Sequence, residues 1–288
     1  MLNDAMLNRL DALRLAMQAY IRGGAGGVRK SRALGDSAEF SDFREYALGD
    51  DLRRIDWNAY ARFDKLFLKL FMEEQEMQLT LILDASASMG FGEPSKWAFS
   101  MDIALMLVYL AVSGGDRVSL AVLNGEKLQR SPVYSGRQGY VQASAFLQDI
   151  RPSGATSLTG AVTRLPLKAA RGMCVLISDL FSEDGSEGAL SSLLYRRQRA
   201  VLVQVLSKEE MEPELNGSLR LLDSEGGPNM DVTVNGELLR RYHKNLESFL
   251  GGARAYCHRH GMPYVLLRSD MDLMHDALGN FTRGGIIA

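Results

Sequence analysis

Cysteine is scarce in this chain: Cys174 and Cys257 are the only two among 288 residues. So sparse a pair builds no disulfide framework and no zinc motif, and it suits a reducing cytoplasm. Cys174, within "RGMCVLISDL", reads as a small buried core residue. An excess of either charge is missing too. The 33 Lys and Arg residues face 35 Asp and Glu residues, for a formal net charge of −2. That balance argues against non-specific nucleic-acid binding as the main task. No run attains the ~18 apolar residues of a bilayer span. The best one, "IALMLVYLAV" (Ile103 to Val112), has the length of a core helix. The first residues, "MLNDAMLNRLDALRLAMQAY", include acidic side chains and no small-residue cleavage site, so they read as an amphipathic helix and not a signal peptide. The expectation is a cytoplasmic protein with no membrane span and no nucleic-acid partner.

What is present is ordinary globular composition, 46% apolar and 24% charged, in a chain long enough for one large domain or two modest ones. Leu2, Met6, Leu10, Leu13 and Met17 recur at helical spacing and predict a helix packed on the main body. "RGGAGGVRKSRALGDS" follows as an irregular segment; no Gly-Lys-Ser/Thr comes after its glycines, so it is not a P-loop. Further on, Asp50 is placed to cap a short helix with Leu52 and Ile55 on its apolar side. "KLFLKLFMEE" reads as a strand, and "QLTLILD" as another so near in sequence that an antiparallel pair is expected. From Leu79 onward strands alternate with helices. This predicts an α/β fold: a doubly wound, mostly parallel sheet with helices on both faces, preceded by an N-terminal helical and extended segment. The expected boundaries are 1–75 for that segment and 76–288 for the sheet domain, with a loop-rich insertion of short strands near 213–237.

In such sheets ligands bind beyond the carboxyl ends of strands. Asp84 closes "LTLILD" and Asp179 closes "MCVLISD"; Ser86 and Ser88 follow the first, and Thr156 lies in the loop "SGATSL". A nucleophilic aspartate needs an acid two residues later, where this chain has Ser86. A nucleophilic Ser86 or Ser88 needs a base, and the four histidines (His243, His258, His260, His275) all lie near the C-terminus. The remaining chemistry is a hard-cation seat. Mg²⁺ takes oxygen ligands, and Asp84, Ser86, Ser88, Thr156 and Asp179 supply two carboxylates and three hydroxyls. Two carboxylates only just neutralise a divalent ion, which stays attractive to an acidic side chain from a partner. The bland reading is that the serines cap the following helix and the aspartates are ordinary strand-end residues.

"DASASM", "GATSL" and "LISDL" resemble the metal-ion-dependent adhesion site of von Willebrand factor A domains, in residue type at all five positions. "YALGDDLRRIDWNAYAR" (Tyr46 to Arg62) with "LFLKLFMEEQE" resembles the signature of the domain of unknown function 58 family. The adhesion-site resemblance implies hydroxyl and water-mediated contacts to a metal, Mg²⁺ with Mn²⁺ or Ca²⁺ possible, and a client protein donating an acidic residue. The second resemblance implies a MoxR-type AAA+ ATPase as partner. The function expected is a non-enzymatic adaptor or co-chaperone; the alternative is a metal-dependent hydrolase such as a phosphatase or nuclease. Two readings of the charged block stay open. Ile55 and Trp57 pin the segment while Asp50, Asp51, Arg53, Arg54 and Asp56 pair locally, or these residues form a docking surface for the ATPase.

Overall fold

The computed structural model describes residues 6, 7, 10, 39–47, 50–72, 78–167, 172–182, 184–226 and 229–284. The glycine-rich stretch 22–37 and much of the N-terminal helical pattern lie outside them. The chain divides into two compact units, Gly24–Glu76 and the remainder, Met1–Gly23 with Met77–Ala288. Of the N-terminal residues, Met6, Leu7 and Leu10 are described and pack on the sheet's core, whereas the sequence pattern sets 1–75 apart as one segment.

In the small unit, β1 (Glu39–Glu45) and β2 (Phe67–Met72) form an antiparallel ribbon, with Phe43 opposite Lys69. Between them a short 3₁₀ turn, Leu52–Arg54, leads to the helix α1, Trp57–Phe63. Each is started by an aspartate. The Asp51 side chain accepts from the Arg53 N–H, and the Asp56 side chain from the Asn58 and Ala59 N–H groups. β2 does not pair with the strand that follows it, contrary to the antiparallel pair expected. It pairs back with β1, while the next strand enters the large sheet.

The large unit holds six strands. They are β3 (Gln78–Asp84), β4 (Arg117–Asn124), β5 (Lys127–Arg130), β6 (Gly172–Ser178), β7 (Arg199–Leu206) and β10 (Tyr264–Arg268). Their order is β10-β7-β6-β3-β4-β5, all parallel except β5, which turns back on β4. Because both faces are covered, the central strands are apolar along their length. Successive side chains still alternate between two cores. Leu79, Leu81 and Leu83 of β3 join one core, with Ile103, Leu147 and Phe281; Ile82 joins the other, with Leu176, Leu190 and Cys257.

The first core packs under α2 (Lys96–Ser113), α3 (Gly136–Gln148) and, after β10, the terminal helix Leu278–Arg283. Leu10 is buried there too, as its helical spacing predicts. The second packs under α4 (Leu158–Arg164), α5 (Glu187–Tyr195) and the long helix Gly236–Arg259. By length and composition α2 is long and apolar enough to cross a membrane, more than its best run suggests, and 72% of it is buried inside the fold. Between β7 and the long helix, after a single turn at Lys208–Met211, comes a hairpin of β8 (Gly217–Leu221) and β9 (Met230–Val234). It forms the short-stranded insertion expected near 213–237.

Candidate metal centre

Chain order in the sheet runs outward from β3 through β4 to β5, then restarts at β6 and runs the other way through β7 to β10. β3 and β6 are therefore neighbours at the point where the winding reverses. Their carboxyl ends open the crevice in which doubly wound sheets bind ligands. Asp84 is the last residue of β3, and Asp179 follows the last residue of β6.

Asp84 is buried. Its Oδ1 accepts from the Ser86 N–H at 2.9 Å and its Oδ2 from the Ser178 hydroxyl at 2.7 Å. Burial, then the charge of Asp179, pushes the Asp84 carboxyl up to about 6 against these two donors and the Ser86 hydroxyl. The Ser86 and Ser88 hydroxyl oxygens lie 3.1 Å apart. Ser86 opens a short 3₁₀ turn, Ala87–Gly90, but its side chain caps nothing; the cap of α2 is Ser95, which accepts from the Ala98 N–H. Ser86 is thus not employed as a cap, and its hydroxyl faces Ser88 instead.

Thr156 is buried, and its Oγ1 accepts from the Gly125 N–H at 3.1 Å. Its loop is stitched to the Asp84 turn by two backbone bonds, Ala87 N–H to Gly154 C=O at 2.8 Å and Ser153 N–H to Ala85 C=O at 2.9 Å. Gly154 holds φ +68°, a conformation that favours glycine. Asp179 is buried, with Oδ1 accepting from the Phe181 N–H at 3.0 Å.

The other Asp179 oxygen meets a group the motif reading missed. The Lys96 ammonium, wholly buried at the start of α2, lies 2.6 Å from Asp179 Oδ2 and also pairs with Glu210 Oε1. Glu210 closes a capping box with Ser207 in the turn after β7. Burial raises the Glu210 carboxyl, and Lys96 opposes that rise. One ammonium thus serves two carboxylates, and among the described residues Asp84 has no ion pair. The available signal was a lysine heading a helix that is otherwise apolar through most of its circumference. Ser178 carried no signal apart from its neighbour Asp179. Glu225 sits in the β8–β9 turn. Burial raises its carboxyl, the Ser88 hydroxyl and N–H draw it down, and the charge of Asp179 raises it again.

The residues fit a hard cation. Two oxygens at right angles on one Mg²⁺, each ~2.1 Å away, lie about 3.0 Å apart, close to the Ser86–Ser88 separation. The desolvated Asp84 carboxyl and the surplus of buried negative charge also favour a cation. Among the described residues no three His, Cys, Asp or Glu side chains are grouped to hold a metal, so the donor set depends on its hydroxyls.

A family model described as "Protein of unknown function DUF58" matches residues 42–248, which include all five candidate ligands and the charged block upstream. The chain belongs to the DUF58 family. This DUF58 chain is 25% identical to the uncharacterized protein Rv1480 of Mycobacterium tuberculosis over 277 residues, 93% of this chain and 86% of that one. Its sheet is mostly parallel, with helices on both faces. Similar solved structures include the conserved hypothetical protein BatB of Bacteroides thetaiotaomicron, at 17% identity and TM-score 0.43, covering 72% of this chain and 98% of that one. The SpRpn10 VWA domain aligns at 10% identity and TM-score 0.36, over 46% of this chain and 76% of that one.

The charged block of this DUF58 chain is arranged differently from the local pairing expected. Asp50 does not cap; it pairs with Arg44 at 2.6 Å and accepts from the Ala47 N–H. Asp51 and Asp56 are the caps, because each directly precedes a turn whose first N–H groups need an acceptor. Ile55 is buried, but Trp57 is 63% exposed and Leu52 59% exposed, so neither pins the segment. Arg53 is exposed, and the Arg54 side chain lies outside the described residues. Among the described residues no histidine hydrogen-bonds Ser86 or Ser88. His258 and His260 end the long helix, exposed, and His275 pairs with Asp276.

Proposed function

We propose that this protein is a non-enzymatic, Mg²⁺-dependent interaction module that works in the cytoplasm with a MoxR-type AAA+ ATPase and binds an acidic residue of a client. The observation that carries the reading is the turn after β3. It holds a desolvated Asp84 and the Ser86 and Ser88 hydroxyls 3.1 Å apart, at the point where the sheet's winding reverses. Asp84, Ser86, Ser88 and Thr156 would hold the ion, and Asp179 would act from beside it while bound to Lys96. The ion, when bound, supplies a Lewis-acidic position for a carboxylate oxygen of the client. The chain's own residues set the rest: Ser178 and the Ser86 N–H orient Asp84, and Lys96 holds Asp179 in place.

The alternative reading is a metal-dependent hydrolase such as a phosphatase or nuclease, which needs a general base or a second metal beside the first. The ATPase partner rests on the family resemblance. The exposed Trp57, Tyr60 and Phe63 of the small unit support a docking role for that unit.

The test is capture of a MoxR-type AAA+ ATPase from the same organism, with Mg²⁺ and with EDTA. Capture that needs Mg²⁺ and disappears in Asp84→Ala is expected. Capture indifferent to both sinks the metal-dependent mechanism, and phosphoester turnover abolished by Asp84→Ala replaces it with the hydrolase.

A further inference from the structure

The long helix Gly236–Arg259 is fixed to the sheet unit by aromatic residues spaced seven apart. The Tyr242 hydroxyl donates to the Glu210 C=O at 2.6 Å, and the Phe249 ring stacks on Phe181 with centroids 5.3 Å apart. The Tyr256 hydroxyl shares a hydrogen bond with the Ser191 hydroxyl at 2.6 Å. Seven residues make two turns, so these three side chains define the inward face of the helix. The first two anchors lie at the candidate centre. Glu210 holds Lys96, and the Phe181 N–H donates to Asp179 at 3.0 Å.

Arg240, Arg241 and Lys244 lie on the opposite face, about 160–260° round the helix from Tyr242. All three are exposed. Among the described residues no carboxylate ion-pairs with any of them, not even Glu237 and Glu247, about one turn to either side. Like charges three and four residues apart repel and weaken a helix, and the fold gains no ion pair in return. The whole chain has a slight acidic excess, 35 residues against 33. The strip is therefore a local concentration of positive charge and not a share of a generally basic surface.

We propose that Arg240, Arg241 and Lys244 form a docking strip for an acidic segment of a partner protein. Charge and exposure define the strip; the choice of a protein segment as occupant rests on the metal reading above, in which a client carboxylate completes the ion. Phe181 follows Asp179 by two residues and touches this helix at Phe249, and Lys244 precedes Phe249 by about 8 Å of helix rise. Crossing a helix about 10 Å wide takes about three or four extended residues. One client segment therefore spans both places when further carboxylates flank the one on the metal. Nucleic acid fits less well. Single strands use aromatic faces for their bases, and Tyr242, the tyrosine within this stretch, is turned inward to Glu210.

The experiment is fluorescence anisotropy of a fluorescein-labelled hexaglutamate peptide with the full chain, in Mg²⁺ and in EDTA, at low salt. Wild type is compared with Asp84→Ala and with the triple variant Arg240→Gln, Arg241→Gln, Lys244→Gln. The triple variant is expected to bind about tenfold more weakly in either medium, and wild-type binding to weaken as salt screens the strip. Lys244→Gln alone should give a smaller loss in the same direction. Equal binding by wild type and the triple variant, lost in EDTA and in Asp84→Ala, overturns this inference and leaves the metal reading standing. Binding that needs the three cations but ignores Mg²⁺ and Asp84→Ala upholds the strip and overturns the metal reading. Tighter capture of oligothymidylate or phosphatidylserine vesicles by the same cations overturns the choice of a protein segment. A peptide that wild type does not bind in either medium overturns both. The substituted side chains point to solvent and glutamine keeps helix propensity, so the variants should fold, which unchanged circular dichroism checks.

Discussion

The Lys96 ammonium and the Asp179 carboxylate meet 2.6 Å apart, both essentially out of solvent, and the same ammonium reaches Glu210. Removing one member of such a group leaves charge buried without compensation. Lys96→Met should cost about 3–5 kcal/mol of stability in urea unfolding. Adding Glu210→Gln to it should cost less than the sum of the single changes, since the two act in one network. Additive losses would mean that Lys96 and Glu210 are not coupled.

Asp84 makes stability depend on pH in a predictable direction. Its carboxyl is raised from 3.8 to about 6 in the folded chain. Between these values the metal-free folded state keeps a proton that the unfolded state has lost. The favourable contribution is therefore full below about pH 4 and is lost as pH rises through about 6, amounting to roughly 3 kcal/mol at most. Urea midpoints in EDTA should fall from pH 4.5 to pH 7 in wild type relative to Asp84→Asn. Mg²⁺ should restore the most stability above pH 6, where Asp84 is ionised.

Two serines near α2 should behave oppositely. Ser95→Ala removes a helix cap and should cost about 1 kcal/mol, with Mn²⁺ affinity retained. Ser86 caps nothing, so Ser86→Ala should change the urea midpoint little and weaken Mn²⁺ binding. A large stability loss with unchanged metal affinity in Ser86→Ala would show a structural serine.

The small unit offers a similar separation. Asp56→Ala removes the acceptor for two N–H groups of α1 and should cost about 1 kcal/mol. Trp57 projects outward, touching Tyr60 edge to face. Trp57→Ala should leave stability within about 0.5 kcal/mol and reduce capture of the ATPase. Capture equal to wild type would remove Trp57 from the docking surface.

Much of this architecture is legible in one dimension because it repeats. β3 is apolar on both faces and bounded by a carboxylate, and the helices that follow show their spacing plainly. The errors arose where a local pattern admits several partners. Nearness of β2 and β3 in sequence suggested a pair, but β3 is apolar on both faces and is covered only inside the large sheet. Asp50, Asp51 and Asp56 are equally good caps by type. Which of them caps was decided by where the turns begin, and Asp50 was left to Arg44. Ile55 and Trp57 look like anchors by composition, yet only Ile55 is buried, and a helix as short as Trp57–Phe63 buries a single residue, Ala59.

The sequence by itself determined the alternation of strands and helices, the DUF58 membership, and the Asp84-Ser86-Ser88 turn. These depend on residues close together along the chain, whose spacing dictates their geometry. Tertiary structure alone decided what surrounds that turn. Ser178 lies 94 positions from Asp84 and Lys96 lies 83 from Asp179. No periodicity announces such encounters. They exist because parallel strands bring distant carboxyl ends to one edge, where desolvation makes every charge seek a counterpart.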